Sequence, residues 1–146
     1  MDDALFERIL VPLADPDDAE RTARALRPHL DAGSELVITH VAEGDGPETS
    51  IARGRDHFAE DTYETFIGVL DSPGVRLEWV TLQGRAVAEA VIDGTAAVDA
   101  TLIAFVPRGL DGWARLVSGD AGRRLIRDAH VPVLVFPDRA ETLGIE

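Results

Sequence analysis

Short apolar runs alternate along this chain with stretches whose apolar residues recur at helical spacing, and few architectures accommodate that order. The runs are RILVPL (8–13), ELVITHV (35–41), VRLEWVTL (75–82), TLIAFV (101–106) and VPVLVF (131–136). Their length and β-branched content predict strands. After the first, ADPDD places aspartates and Pro16 at a helix start, Ala19, Ala23, Leu26 and Leu30 follow at helical spacing, and AGS (32–34) closes the helix. GDGPETS reads as a loop. Ile51, Phe58, Tyr63, Phe66, Ile67 and Leu70 then predict one long amphipathic helix that stops at DSPG. A further helix is predicted over 86–98, with Val87, Ala90 and Val91 as its inner stripe. Leu116, Val117, Leu125 and Ile126 precede the last run, and the tail DRAETLGIE (138–146) is expected to be loose.

Five strands with helices in the connections predict a single α/β domain over 1–146. The sheet is then doubly wound, five-stranded and parallel, with helices on both faces and right-handed crossovers. TLIAFV, apolar almost throughout, suits a central strand covered on both sides. With 146 residues, 45% of them hydrophobic, the chain can bury one sizeable core. No linker, internal repeat or low-complexity tract interrupts it. In such sheets a ligand binds outside the carboxyl ends of the strands, where the strand order reverses. Those ends are Pro12 to Asp15, His40 to Glu43, and Val106 to Gly109.

Charge excludes some partners. A net charge of −13 repels nucleic-acid phosphates and anionic membranes. All 14 basic residues are arginine, which with the acidic surplus points to a protein kept soluble in concentrated intracellular salt; an acidic protein from a GC-rich genome is the alternative. No window reaches the roughly 18 apolar residues of a membrane span, and MDDALFERILVPL has no basic segment before its apolar stretch, so a cytoplasmic protein is expected. The absence of cysteine removes disulfides, thiolate zinc sites and cysteine nucleophiles.

Several blocks together resemble the universal stress protein family. They are RILVPL with its acidic helix start, THV closing the second strand, QGRAVAEAVID, LIAFVPRG and SGDAGRRLIRDAHVPVLVF. The resemblance runs from about Phe6 to Pro137. It implies a Rossmann-like fold of the adenine nucleotide alpha hydrolase kind, ATP binding in many members and none in others, and dimers in most. The most specific family pattern is Gly, two residues, Gly, nine residues, then Gly followed by Ser or Thr. Here Gly109 and Gly119 match the second and third glycines, the first falls on Val106, and the hydroxyl position is Asp120, followed by Ala121. The family's acidic residue after the first strand falls on Ala14, in the segment Pro12, Leu13, Ala14, Asp15. The backbone around Val41 corresponds to the part the family sets beside adenine.

These departures carry unequal physical weight. Valine at 106 loses the close backbone approach and positive φ open to glycine, which would narrow the site. A carboxylate at 120 within about 4 Å of a triphosphate costs on the order of 4 kcal/mol at an effective dielectric near 20, about three decades of affinity. The same carboxylate suits the N-terminus of a helix starting near Ala121, where it would occupy the place of the phosphate. The reading is therefore a nucleotide site that is degenerate and holds no cofactor. ATP shared with Mg²⁺ or Mn²⁺ through Asp120 or Asp15 is the alternative, helped by Arg108, Arg123 and Arg124. A second register, with Gly109, Gly112 and Gly122 as the glycines, also stays open and is kinder to phosphate.

No other constellation points to catalysis. His29, His40, His57 and His130 lack metal-ligand spacing, and Ser118 is not in a nucleophile elbow. Glu60, Asp61 and Glu64 read as a solvated helix face, and Trp113 as local packing or a partner contact. VPVLVF would be an exposed sheet edge in a monomer, so a homodimer through Val131, Val133, Leu134 and Val135 is expected, with a tail folded over the edge as the alternative. Two functions follow. One is a non-enzymatic stress or regulatory module acting on another protein; the other is an ATP-binding switch with at most slow hydrolysis.

Overall fold

The computed structural model describes residues 6–13, 15–31, 33–43, 50–54, 59–84, 87–106 and 127–136. Strand β1 (Arg8–Leu13) leads into helix α1 (Pro16–Leu26), extended by a 3-10 turn over Arg27–His29, and then into β2 (Glu35–Glu43). A short strand β3 (Ser50–Arg53) precedes α2 (Glu60–Leu70), β4 (Arg76–Gly84), α3 (Val87–Ala97), β5 (Leu102–Phe105) and β6 (Val133–Val135). The sheet order is β3-β4-β2-β1-β5-β6. The five expected strands are all present and mutually parallel, and the sheet is doubly wound.

The sixth strand was not expected. Ser50–Arg53 pairs antiparallel with β4, Ile51 opposite Leu82, and Gly54 continues the contact by donating its N–H to the Trp79 carbonyl at 2.8 Å. Ile51 therefore belongs to an edge strand, and the helix predicted to begin with it starts at Glu60. Four residues carry too little period to announce a strand, and the outer edge of β4 decides their conformation. Smaller corrections concern helix ends. α1 stops at Leu26 rather than continuing to Leu30, because Pro28 supplies no N–H to extend the ladder, and α3 covers 87–97.

Alternation along the strands sorts the core into two layers. Ile9, Val11, Leu13, Leu36, Ile38, Leu102 and Ala104 face one side, where Ala19, Ala23 and Leu26 of α1 and Tyr63, Phe66 and Leu70 of α2 cover them. Leu10, Val37, Val80, Leu82 and Ile103 face the other side, against Ala90 and Val91 of α3, two of the three residues predicted as its inner stripe.

Helix ends follow local chemistry. Asp15 is extended (φ −157°, ψ 176°) and caps α1, its carboxylate accepting the Asp18 N–H at 2.8 Å, with Pro16 at the first helical position. α2 ends at Asp71 in the left-handed region, φ 43°. Beneath the sheet, Arg8 ties strands together. Its Nε donates to the Val98 carbonyl, and Nη2 donates to Glu78 at 2.8 Å. Nη1 lies 3.6 Å from Glu35.

Candidate functional site

The strand order places the reversal between β1 and β5. From β1 the chain crosses to β2 on one side, and from β5 to β6 on the other, so the connections leave these paired strands in opposite directions, the arrangement that makes a crevice outside their carboxyl ends in sheets of this kind. Its rim contains Pro12 and Leu13 from β1, Asp15 beyond it, and Val106 after β5. Two of the three strand ends expected to form the site, those of β1 and β5, are thus brought together directly.

The third forms a wall. β1 pairs with β2 only as far as Leu13 opposite His40, whereas β2 and β4 remain paired up to Glu43 opposite Gly84. β2 thus rises three residues past the end of β1, about 10 Å at roughly 3.3 Å per residue. Along that margin, from Val41 to Glu43, no described strand pairs with β2 on the β1 side. Backbone donors and acceptors of this kind suit the edge of a planar base.

The side chains at the rim have structural duties. Asp15, next to the position where an acidic ligand contact was expected, turns its carboxylate onto the N-terminus of α1. Val106 is 1% exposed and packs in the layer under α1 and α2. Its side chain is therefore accommodated in the core, and the position lacks glycine's backbone freedom. Ala14, Gly109, Gly119, Asp120 and Ala121 lie outside the described residues, as do Arg108, Gly112, Trp113, Ser118, Gly122, Arg123 and Arg124, so both glycine registers fall there.

One buried polar residue near the end of the β1–β2 ladder escaped the sequence reading. Thr39 is fully buried, and among the described residues its Oγ1 has no hydrogen-bond partner. It sits on β2 beside Pro12 of β1 and Val80 of β4. Alternation puts it on the α3 side with Val37. Leaving such a hydroxyl unpaired costs about 1–3 kcal/mol. The available signal was a threonine inside the apolar run LVITHV, two positions before Val41.

The remaining candidates resolve simply. His40 ends the β1–β2 ladder opposite Leu13 and is half-buried. His29 stacks between Phe6 and Phe136, with ring centroids 6.4 Å and 5.6 Å away. Asp61 and Glu64 are exposed and Glu60 is half-buried, as a solvated helix face requires. His57 lies outside the described residues. Glu89, Asp93, Asp128 and His130 line a cleft beside α3. Among the described residues no group of three or more acidic or histidine side chains is arranged to hold a metal ion. No described helix is long and apolar enough to cross a membrane.

At the far edge, β6 follows β5 and ends the sheet. Val133 packs against the α3 layer, Leu134 against the opposite one, Val131 beside α3, and Val135 is 38% exposed.

Comparison with known proteins agrees with this geometry. Residues 5–137 match the model of the universal stress protein family. Among solved structures, the hypothetical protein MJ0577 aligns with a TM-score of 0.66 at 14% identity, over 91% of this chain and 96% of that one. A universal stress protein in complex with cAMP aligns at 0.57 and 13%, over 91% and 98%. The universal stress protein from Archaeoglobus fulgidus in complex with dAMP aligns at 0.58 and 20%, over 90% and 98%. At these identities the likeness establishes the fold. Curated proteins give no match.

Proposed function

The chain belongs to the universal stress protein family, and from that premise we propose that it is a non-enzymatic regulatory module, a homodimer whose ATP binding is lost or weakened and which acts through contact with another protein. The observation that carries this reading is the Asp15 carboxylate. At the end of β1 the family's acidic position is occupied by Ala14, and the neighbouring acid is engaged in capping α1 rather than facing a ligand. Asp120, where the family's ATP binders have a hydroxyl, adds a charge that repels phosphate. The β6 edge, with Val135 exposed, supports pairing between two copies.

The test is direct. Freshly purified protein, held in about 1 M KCl to screen its surface charge, is denatured, and released small molecules are separated by anion exchange; a titration with ATP and Mg²⁺ follows. The expected result is no stoichiometric ATP and weak or no binding heat. Stoichiometric ATP would overturn the reading in favour of a nucleotide switch. That second reading has one observation of its own, the margin of β2 from Val41 to Glu43, which no described strand pairs on the β1 side.

A further inference from the structure

We infer that His29 is the middle ring of a proton-sensitive clasp: as imidazolium it is held between Phe6 and Phe136 more firmly than as neutral imidazole, and it fastens the end of β6 to the body of the fold. The clasp needs neither a nucleotide nor a partner, so it stands apart from the proposed function.

Three distant segments meet in the stack. Phe6 precedes β1, His29 ends the 3-10 turn after α1, and Phe136 directly follows β6. The imidazole is stacked 5.6 Å from the Phe136 ring at an interplanar angle of 29°, and 6.4 Å from the Phe6 ring at 15°. A phenyl face carries the negative part of the ring quadrupole, and a cation within about 6 Å of the ring centroid is attracted to it. Phe136 lies inside that reach and Phe6 at its margin. Both flanking rings are anchored, Phe136 within the core layer under α1 and α2 and Phe6 against the same layer. His29 itself is exposed, so its proton exchanges with solvent. A phenylalanine there would also stack; imidazole adds a charge that pH controls. The strand so fastened is short, three residues paired with β5 from Val133 to Val135, and the ring contact comes directly after its last residue.

The charges on the elements that meet at the stack act as follows. His29 stands at the carboxyl end of α1 and its 3-10 extension, where the negative end of the helix dipole favours a cation. Glu7, beside Phe6, and Asp31, two residues after His29, are exposed and favour it as well. Arg27 on the same turn opposes it, whereas Arg24 is paired with Glu20 at 2.9 Å and Arg8 with Glu35 and Glu78. Residues 131–136 carry no charge. Because the protonated ring is the one held more firmly, the clasp tightens as pH falls and loosens as pH rises.

Hydrogen exchange of the full chain tests this in about 1 M KCl, which screens the surface charge. Exchange at the Leu134 and Val135 amides, corrected for the intrinsic rate, reads the opening of β6 at about pH 5.5 and about pH 7.5. Measured against His29→Phe, which keeps a stacked ring and has no proton to gain, the parent is expected to open about two- to fivefold less at the lower pH. Adding Phe136→Leu to both chains should abolish that difference; if that variant does not fold, Phe6→Leu takes its place and should diminish it. An equal pH response in the parent and His29→Phe overturns the clasp. A difference that survives the loss of a flanking ring undiminished overturns it too, since the charge would then act on the helix end alone.

Discussion

Gly94 of α3 faces Leu82 of β4 so closely that a Cβ added to the glycine would lie 2.8 Å from Leu82 Cδ1 and 2.9 Å from Cδ2. Both branches of the leucine stand in the way, and Leu82 is fully buried, so any rotation that relieves the clash must displace its packed neighbours. Alanine ordinarily stabilises a helix by about 0.5–1 kcal/mol over glycine. Overpacking a core costs about 1–3 kcal/mol. Gly94→Ala is therefore expected to destabilise the fold by about 1 kcal/mol in urea unfolding, and Leu82→Val in the same chain should recover part of that loss. A Gly94→Ala variant more stable than the parent would show that α3 moves off the sheet freely.

Asp71 ends α2 in the left-handed region with a negative charge at the negative end of the helix dipole. Glycine relieves both penalties. Asp71→Gly should raise stability by about 0.5–1 kcal/mol, read as a shift in the urea midpoint without a change in slope. No gain would mean that the aspartate has a compensating contact.

Arg8, whose side chain is 18% exposed, joins β1 to β2, β4 and the turn after α3. Arg8→Met keeps much of the stem and removes the charge-assisted bonds, with an expected loss of about 1–3 kcal/mol. Because the group is mostly shielded, the loss should be nearly the same at 0.1 and 1 M KCl. A loss that vanishes in salt would place these pairs among exposed ones of little worth.

The whole-chain charge of −13 makes the opposite prediction for the parent. Raising KCl from 0.1 to 1 M shortens the Debye length from about 10 Å to about 3 Å, so the unfolding temperature should climb. A flat midpoint would remove self-repulsion as a factor in stability.

The proposed dimer predicts that Val135→Glu, placed on the exposed part of β6, shifts sedimentation from two copies to one while far-ultraviolet circular dichroism is retained. An unchanged sedimentation coefficient would move the interface elsewhere.

The layers and the parallel sheet were legible because each strand carries its own apolar run and each helix its own spacing. Asp15 and Pro16 announced the start of α1 for the same local reason. Ile51 was misassigned because its conformation comes from pairing with Leu82, far away in the chain, and not from its neighbours. Thr39 was passed over since its meaning depends on what stands beside it on β1 and β4, which no one-dimensional pattern reveals. Pro12, Leu13 and Val41 stand at the strand ends that their apolar runs announced, with Asp15 just beyond, while the use of the Asp15 carboxylate followed only from its 2.8 Å bond from the Asp18 N–H.

The two margins of the sheet are unlike. One is β6, parallel to its neighbour; the other is β3, four residues long and running against β4. Two copies meeting at β6 across a two-fold axis would use that edge in both copies and present β3 at both outer ends. Growth by this route stops at a closed pair instead of continuing as a filament.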